Sequence, residues 1–269
     1  MTVQVSSPRP RHRAHRVLVL TTKRVLFIVV LLLVYALVVT FIPQANRSLP
    51  DLSSLATALF TGLGSTELWV AMGETMLAVW QAFIICVIVG VSVGVLLAAV
   101  PGAFASARTV IDFVRTIPPL AIIPIGLLLL GPTLRMEIVL IVFTAVWPMV
   151  LQSYTAVKSI DVELVETARV YHVTGRRRLF QVVIPGMLPV LVTGIRLTVV
   201  ICLLLAIGTE LLARSEGLGA LIRFYQNAKQ MPNAFAVIII TGIIGILLNA
   251  LIAWLERRLL AWNSSERIV

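Results

Sequence analysis

A chain of 269 residues that is 59% hydrophobic and 13% charged cannot cover a water-soluble domain with polar surface. At roughly 20 residues per span it is long enough for about six membrane crossings, with little left for a domain outside the bilayer. The formal charge of +10 therefore reads as loop charge that sets topology, and not as a nucleic-acid surface.

Residues 1–24 are basic and proline-containing, and are predicted to be a disordered tail. The apolar run 25–42 is too long for a typical secretory h-region. No small-residue cleavage site follows it in FIPQAN, so it is expected to stay as the first span, about 25–43. Further spans are predicted at about 74–100, 109–130, 136–157, 187–212 and 234–255. Between them lie polar segments at 44–70, 158–185 and 213–231. The expected fold is an all-α membrane protein whose membrane domain covers 25–263, followed by a tail at 264–269. With both termini in the cytoplasm, fifteen Lys and Arg residues fall inside and five outside, while Arg115 and Arg196 lie within spans. That bias predicts cytoplasmic termini.

Within the spans, Gly90 and Gly94 form a small-xxx-small pair that predicts close approach of another helix. Cys86 and Cys202 sit in apolar runs and read as small hydrophobes, with no disulfide expected. Pro118, Pro119 and Pro124 should break the third span. Broken spans are tolerated beside a cavity or other protein, so this span is a candidate pathway wall, with Gln81, Gln152 and Thr209 as candidate polar lining. Arg196, about ten residues into its span, is expensive in lipid and should face protein or water, unless it snorkels to the interface. Glu210 could line a vestibule or sit in solvent. Asp112 and Arg115 are three apart and should pair on one helical face. His12 and His15 lie in the tail and His172 is alone, so no metal site is expected. No G-x-x-x-x-G-K-[ST] loop is present to cradle a triphosphate.

The most informative stretch is ELVETARVYHVTGRRRLFQVVIPGMLP. Leu164, Val165, Ala168 and Tyr171 or His172 recur at helical spacing, with Asp161, Glu163 and Glu166 in the first turns, where the helix dipole favours acids. This predicts a short helix over 163–174 that has no core within its own loop. Gly175 is the predicted stop. Arg176, Arg177 and Arg178 follow it, and Pro185 and Pro189 mark re-entry into the membrane. Such a helix either rests on lipid headgroups or docks on a cytoplasmic partner.

This stretch resembles the EAA loop of ABC importer permeases, E-A-A-x-x-x-G followed by I-x-L-P. The matching residues are Glu166, Thr167, Ala168 and position 172, then Ile184-Pro185 and Leu188-Pro189. Thr167 stands in place of the first Ala. His172 stands where the family usually has Gly, so the turn must be made without glycine's free φ. RTIPPLAIIPIGLLLLG, VKSIDVELVETAR and LERRLLAWN are similar to the nitrate, sulfonate and taurine branch of that family.

The resemblance implies a six-helix type I importer permease in a bacterial inner membrane, itself non-catalytic and free of cofactor. It also implies a second permease chain, identical or similar, and two ATPase subunits that carry ATP and Mg. An extracytoplasmic binding protein would deliver the substrate. Glu163, Glu166, Thr167, Ala168, Arg169, His172 and Gly175 would then form the ATPase-coupling surface. The branch implies a small organic or inorganic anion such as a sulfonate, taurine or nitrate as cargo, and close relatives handle pyrimidine precursors and aromatic acids. A secondary transporter working without ATP is the alternative, and it would more often show inverted repeats and mid-depth acids.

Overall fold

The computed structural model describes residues 49–260 except Arg214, together with scattered residues between 26 and 41. The predicted N-terminal tail, eight of the nineteen residues of the first predicted span and residues 261–269 lie outside the described residues, and the described residues of that span are helical. The described residues build helices joined by turns: α1 (Leu52–Leu63), α2 (Thr66–Ala99), α3 (Ala103–Thr116), α4 (Pro119–Leu130), α5 (Leu134–Lys158), α6 (Val162–Val170), α7 (Gly175–Arg178), α8 (Ile184–Ala213), α9 (Leu218–Asn227) and α10 (Met231–Leu259). Among the described residues four stretches are long and apolar enough to cross a bilayer: Thr66–Ala99, Leu134–Lys158, Gly175–Ala213 and Met231–Arg258. The bent pair α3–α4 is a fifth if it counts as one span.

The centre of the bundle is α2, α5 and α8. Val79, Ala82 and Cys86 of α2, Ile141, Ala145 and Val150 of α5, and Val199, Cys202 and Ala206 of α8 share one buried cluster, which Leu248 and Ile252 of α10 complete. Small residues set the spacing. A Cβ on Gly90 would lie 2.6 Å from Met149 Cγ, and one on Gly94 would lie 2.5 Å from both Ser153 Cβ and the Val150 carbonyl oxygen. The expected close approach at Gly90 and Gly94 is therefore present, with α5 as the partner. Three buried hydroxyls are satisfied by their own helices: Thr75 donates to the Ala71 carbonyl at 3.1 Å, Ser153 to Met149 at 2.7 Å and Thr198 to Gly194 at 2.8 Å. That arrangement suits a setting without water.

Several predicted boundaries move, each for a physical reason. The third span is not one helix over 109–130. Helix α3 starts at Ala103, and α4 leaves it at 83°. Ile117 (ψ 121°) and Pro118 (ψ 122°) are both extended, as residues preceding proline prefer. Pro124, by contrast, does not break the helix and sits inside α4. The 12 residues of α4 reach only about 18 Å, well short of a hydrocarbon core of about 30 Å. The polar segments 44–70 and 213–231 are not plain loops but hold α1 and α9. Helix α2 starts at Thr66, capped by the Ser65 hydroxyl accepting from the Leu68 N–H. Pro185 and Pro189 lie inside the re-entering helix and not at its start. Helix runs unbroken from Gly175 to Ala213, and a π-helical turn at Leu179–Val183 sits where Pro185 withholds its N–H.

Two substitutions in α2 test the packing at Gly94. Gly94→Ala should destabilise the purified protein by about 1–3 kcal/mol through overpacking. Gly73→Ala, where nothing lies within 4 Å of the added methyl, should be neutral or slightly stabilising. Thermal unfolding in detergent reads both, and equal effects would contradict the contact.

Candidate functional site

Helix α6 stands at one end of the bundle, beyond the C-terminus of α5. Asp161 caps it, its carboxylate accepting from the Glu163 N–H at 2.9 Å. It ends at Val170, earlier than the predicted 174. Gly175 is not the stop. His172 turns the chain with φ +52°, its N–H donates to the Arg169 carbonyl at 3.1 Å, and the Val173 N–H donates to the Ala168 carbonyl at 2.8 Å. Those two bonds make a Schellman motif with histidine at the left-handed position that glycine normally takes. The turn is thus made with a positive φ at the very position where the sequence lacks glycine. Histidine is among the residues that tolerate that conformation. Gly175, at φ +57°, opens α7 instead.

One expectation for this helix is corrected. Ala168 is 6% exposed, and the Leu179–Val183 turn packs against α6, so the helix does have cover within the chain on one side. Glu163, Glu166, Thr167, Arg169, His172 and Gly175 are all exposed. So are Val162 and Leu164, with Val170 at 75% and Tyr171 at 77%. The outer face of α6 is mixed charged and apolar, and no described residue covers it.

Arg196 has a charged partner within the bundle. Its guanidinium pairs with Glu256 of α10, and the Arg196 side chain keeps 39% of its surface while Glu256 is buried. The pairing with Glu256 sets Arg196 level with the last turns of α10. The other proposed pathway residues do not form one polar stripe. Gln81 is exposed on α2, Gln152 packs against Gly194 and Thr209 is buried in α8. Pro118 and Pro124 are exposed and Pro119 is half-buried. Asp112 and Arg115 pair at 3.2 Å with both partners largely exposed, a contact worth little.

The opposite end of α5 holds a polar knot that sequence reasoning touched only at Glu210. Glu210 is fully buried, neither in solvent nor on an open vestibule wall. Its Oε2 accepts from the Gly219 N–H at 2.7 Å. Thr75 Oγ1 accepts from the Leu218 N–H at 2.9 Å. Arg223 donates to the carbonyls of Glu210 and Leu211, both at 3.0 Å. The turn between α8 and α9 needs bare backbone here: Gly217 has φ +129°, and a Cβ on Gly219 would lie 2.7 Å from Glu210 Cβ. Glu137 of α5 faces the Glu210 carboxyl, and Glu74 of α2 faces Glu216. The signal that could have found this knot is an acid placed inside an apolar run, as at Glu74 and Glu137.

Residues 90–261 match the family described as "Binding-protein-dependent transport system inner membrane component". The chain is 32% identical over 155 residues to the putative aliphatic sulfonates transport permease SsuC of Bacillus subtilis, a stretch covering 58% of this chain and 56% of that relative. It therefore spans little more than half the length of that relative. It is 30% identical to the bicarbonate transport system permease CmpB of Synechococcus elongatus, over 74% of this chain and 72% of the relative. It is 26% identical to the nitrate import permease NrtB of Leptolyngbya laminosa, with the same coverage. Among solved structures, a chain of the inward-facing MetNI methionine ABC transporter superposes with a TM-score of 0.63 at 20% identity, covering 72% of this chain and 96% of that one. A chain of a bacterial ABC transporter involved in import of the acidic polysaccharide alginate gives 0.62 at 12% identity, covering 90% and 98%. The fold is that of a type I importer transmembrane domain.

The histidine turn yields a direct test. His172→Gly should relieve about 1 kcal/mol of left-handed strain and slow hydrogen exchange at the Val173 amide. His172→Val should speed that exchange severalfold. Exchange unchanged in both variants would show that this turn does not hold the end of α6.

Proposed function

We propose a cargo, an orientation and a coupling surface for this chain, which belongs to the family of binding-protein-dependent transport system inner-membrane components. It is a multi-pass, non-catalytic permease subunit of an ABC importer. Hydrolysis of ATP in such systems falls to partner ATPase subunits. In our reading the cargo is a small organic or inorganic anion such as a sulfonate, taurine or nitrate. Relatives named for sulfonates, bicarbonate and nitrate support that class. Two permease chains, identical or similar, enclose the pathway above two ATPase subunits, and an extracytoplasmic binding protein delivers the solute. The termini and α6 lie on the cytoplasmic side, in keeping with the bias of Lys and Arg.

The observation that carries the coupling reading is the uncovered face of α6. Val170 and Tyr171 are three-quarters exposed beside Glu166 and Arg169. Covering apolar side chains of this kind is worth about 1.5–3 kcal/mol each. A groove on an ATPase subunit that took this face would gain that energy and could pair with Glu166. Movement of the groove would then pass to the bundle through the Leu179–Val183 turn, against which α6 rests.

Reconstitution with ATPase partners and a loaded binding protein tests the coupling. Glu166→Lys and Leu164→Asp should each lower stimulated ATPase activity and transport at least tenfold, since losing a desolvated charge pair or an apolar anchor costs a few kcal/mol. Insertion and thermal stability should be retained. Ala168 is a poor probe, because it faces the chain itself. Full coupled activity in both variants would sink the docking reading and leave α6 as a lipid-surface helix. For orientation, a cysteine at position 53 should label from outside intact cells. For cargo, the partner binding protein titrated with taurine, alkanesulfonates, nitrate and bicarbonate should select among them, and binding to none would remove the anion class.

A further inference from the structure

We propose that the cavity at the end of the bundle remote from α6 is a binding site for a small organic cation that presents an ammonium or guanidinium group. Its volume is about 390 Å³, and it is bounded by Glu74 and Leu77 of α2, Thr133, Leu134 and Glu137 at the start of α5, and Ser215 and Glu216 of the turn before α9. Cavities of this size hold small organic ligands.

Glu137 is the key residue. It is 2% exposed and lines the cavity, yet its Oε1 has no hydrogen-bond partner among the described residues. Burying a carboxyl oxygen without a partner is expensive, and a donor entering the cavity would relieve that cost. Its surroundings raise the demand for positive charge. The Glu210 carboxyl lies against it, and Glu74 and Glu216 face each other at the cavity wall. Carboxyls held this close either share a proton or take an intervening cation, and the organic cation would enter by displacing that proton.

A bare metal ion is a poor fit. Among the described residues no group of three or more His, Cys, Asp or Glu side chains converges to hold one, and hard cations need a compact shell of oxygens. An ammonium or guanidinium offers several N–H donors spread over its own breadth, and can bond carboxylates that do not converge on a point. Leu77 and Leu134 supply apolar wall for an attached alkyl chain. Two arginines of the chain lie near in sequence or space: Arg223, already donating to the Glu210 and Leu211 carbonyls, and Arg214, outside the described residues. The proposal stands on this geometry and not on the cargo reading, so a failed transport assay leaves it intact.

The test uses the permease with its ATPase partners in lipid nanodiscs, titrated calorimetrically with butylammonium and methylguanidinium chloride against sodium and magnesium chloride of equal ionic strength. Saturable binding of at least one organic probe is expected, weakened at least tenfold in Glu137→Gln and in Glu74→Gln. The half-buried Glu74 variant carries the test if Glu137→Gln does not fold. Absence of saturable binding, an equal response to sodium, or tighter binding of magnesium would overturn the proposal. So would binding that appears only after Arg214→Gln or Arg223→Gln, because the chain's own arginine would then occupy the site.

Discussion

The bundle depends on the absence of two side chains. In lipid there is no hydrophobic force to press one helix on another, so association rests on dispersion contacts between surfaces that fit. At Gly90 and Gly94 the backbone of α2 comes directly against Met149, Val150 and Ser153 of α5. On its other side α5 meets α8, where Gly194 leaves room for Gln152. Three long helices are thereby held at short range along one shared seam, and the remaining elements are placed against them.

The polar contacts then fix the two ends. At the end near α6, the Arg196–Glu256 pair ties α8 to α10. At the other end, Thr75 and Glu210 take the first free N–H groups of α9. These are the orphan donors that every helix start must satisfy, and here side chains from two other helices do so. A helix start capped from two neighbours cannot shift without breaking both bonds.

Much of this was legible in the sequence. The spans around α2, α5, α8 and α10 follow from apolar length alone, the glycine pair in α2 predicted a close contact, and the Glu166 segment announced the exposed helix. What escaped reading depends on neighbours far apart in sequence. Helices α1 and α9 are short and sit in polar stretches, so their apolar faces show only when Leu55 and Ala58 meet Ala236, and Leu221 and Ile222 meet Leu68 and Val237. The unbroken run through Pro185 and Pro189 relies on a π-helical turn, which no periodicity signals. His172 was visible as an oddity, but only the backbone shows that it takes the glycine conformation itself. The carboxyl knot was hidden because Glu74, Glu137 and Glu210 come from three separate helices.

The continuous helix from Gly175 to Ala213 has a mechanical consequence. At about 1.5 Å per residue, its 39 residues form a rod of roughly 58 Å, whose foot bears on α6 and whose head carries Glu210. Its weaker sections are the widened turn at Leu179–Val183, close to the foot, and the turns around Pro185 and Pro189, which lack those N–H donors. If α6 is pushed as proposed, bending at these points would set how far the upper helix tilts. A push a few ångströms long at one surface would thus arrive as a tilt at the other, with the glycine-seated seam between α2 and α5 serving as the fixed bearing.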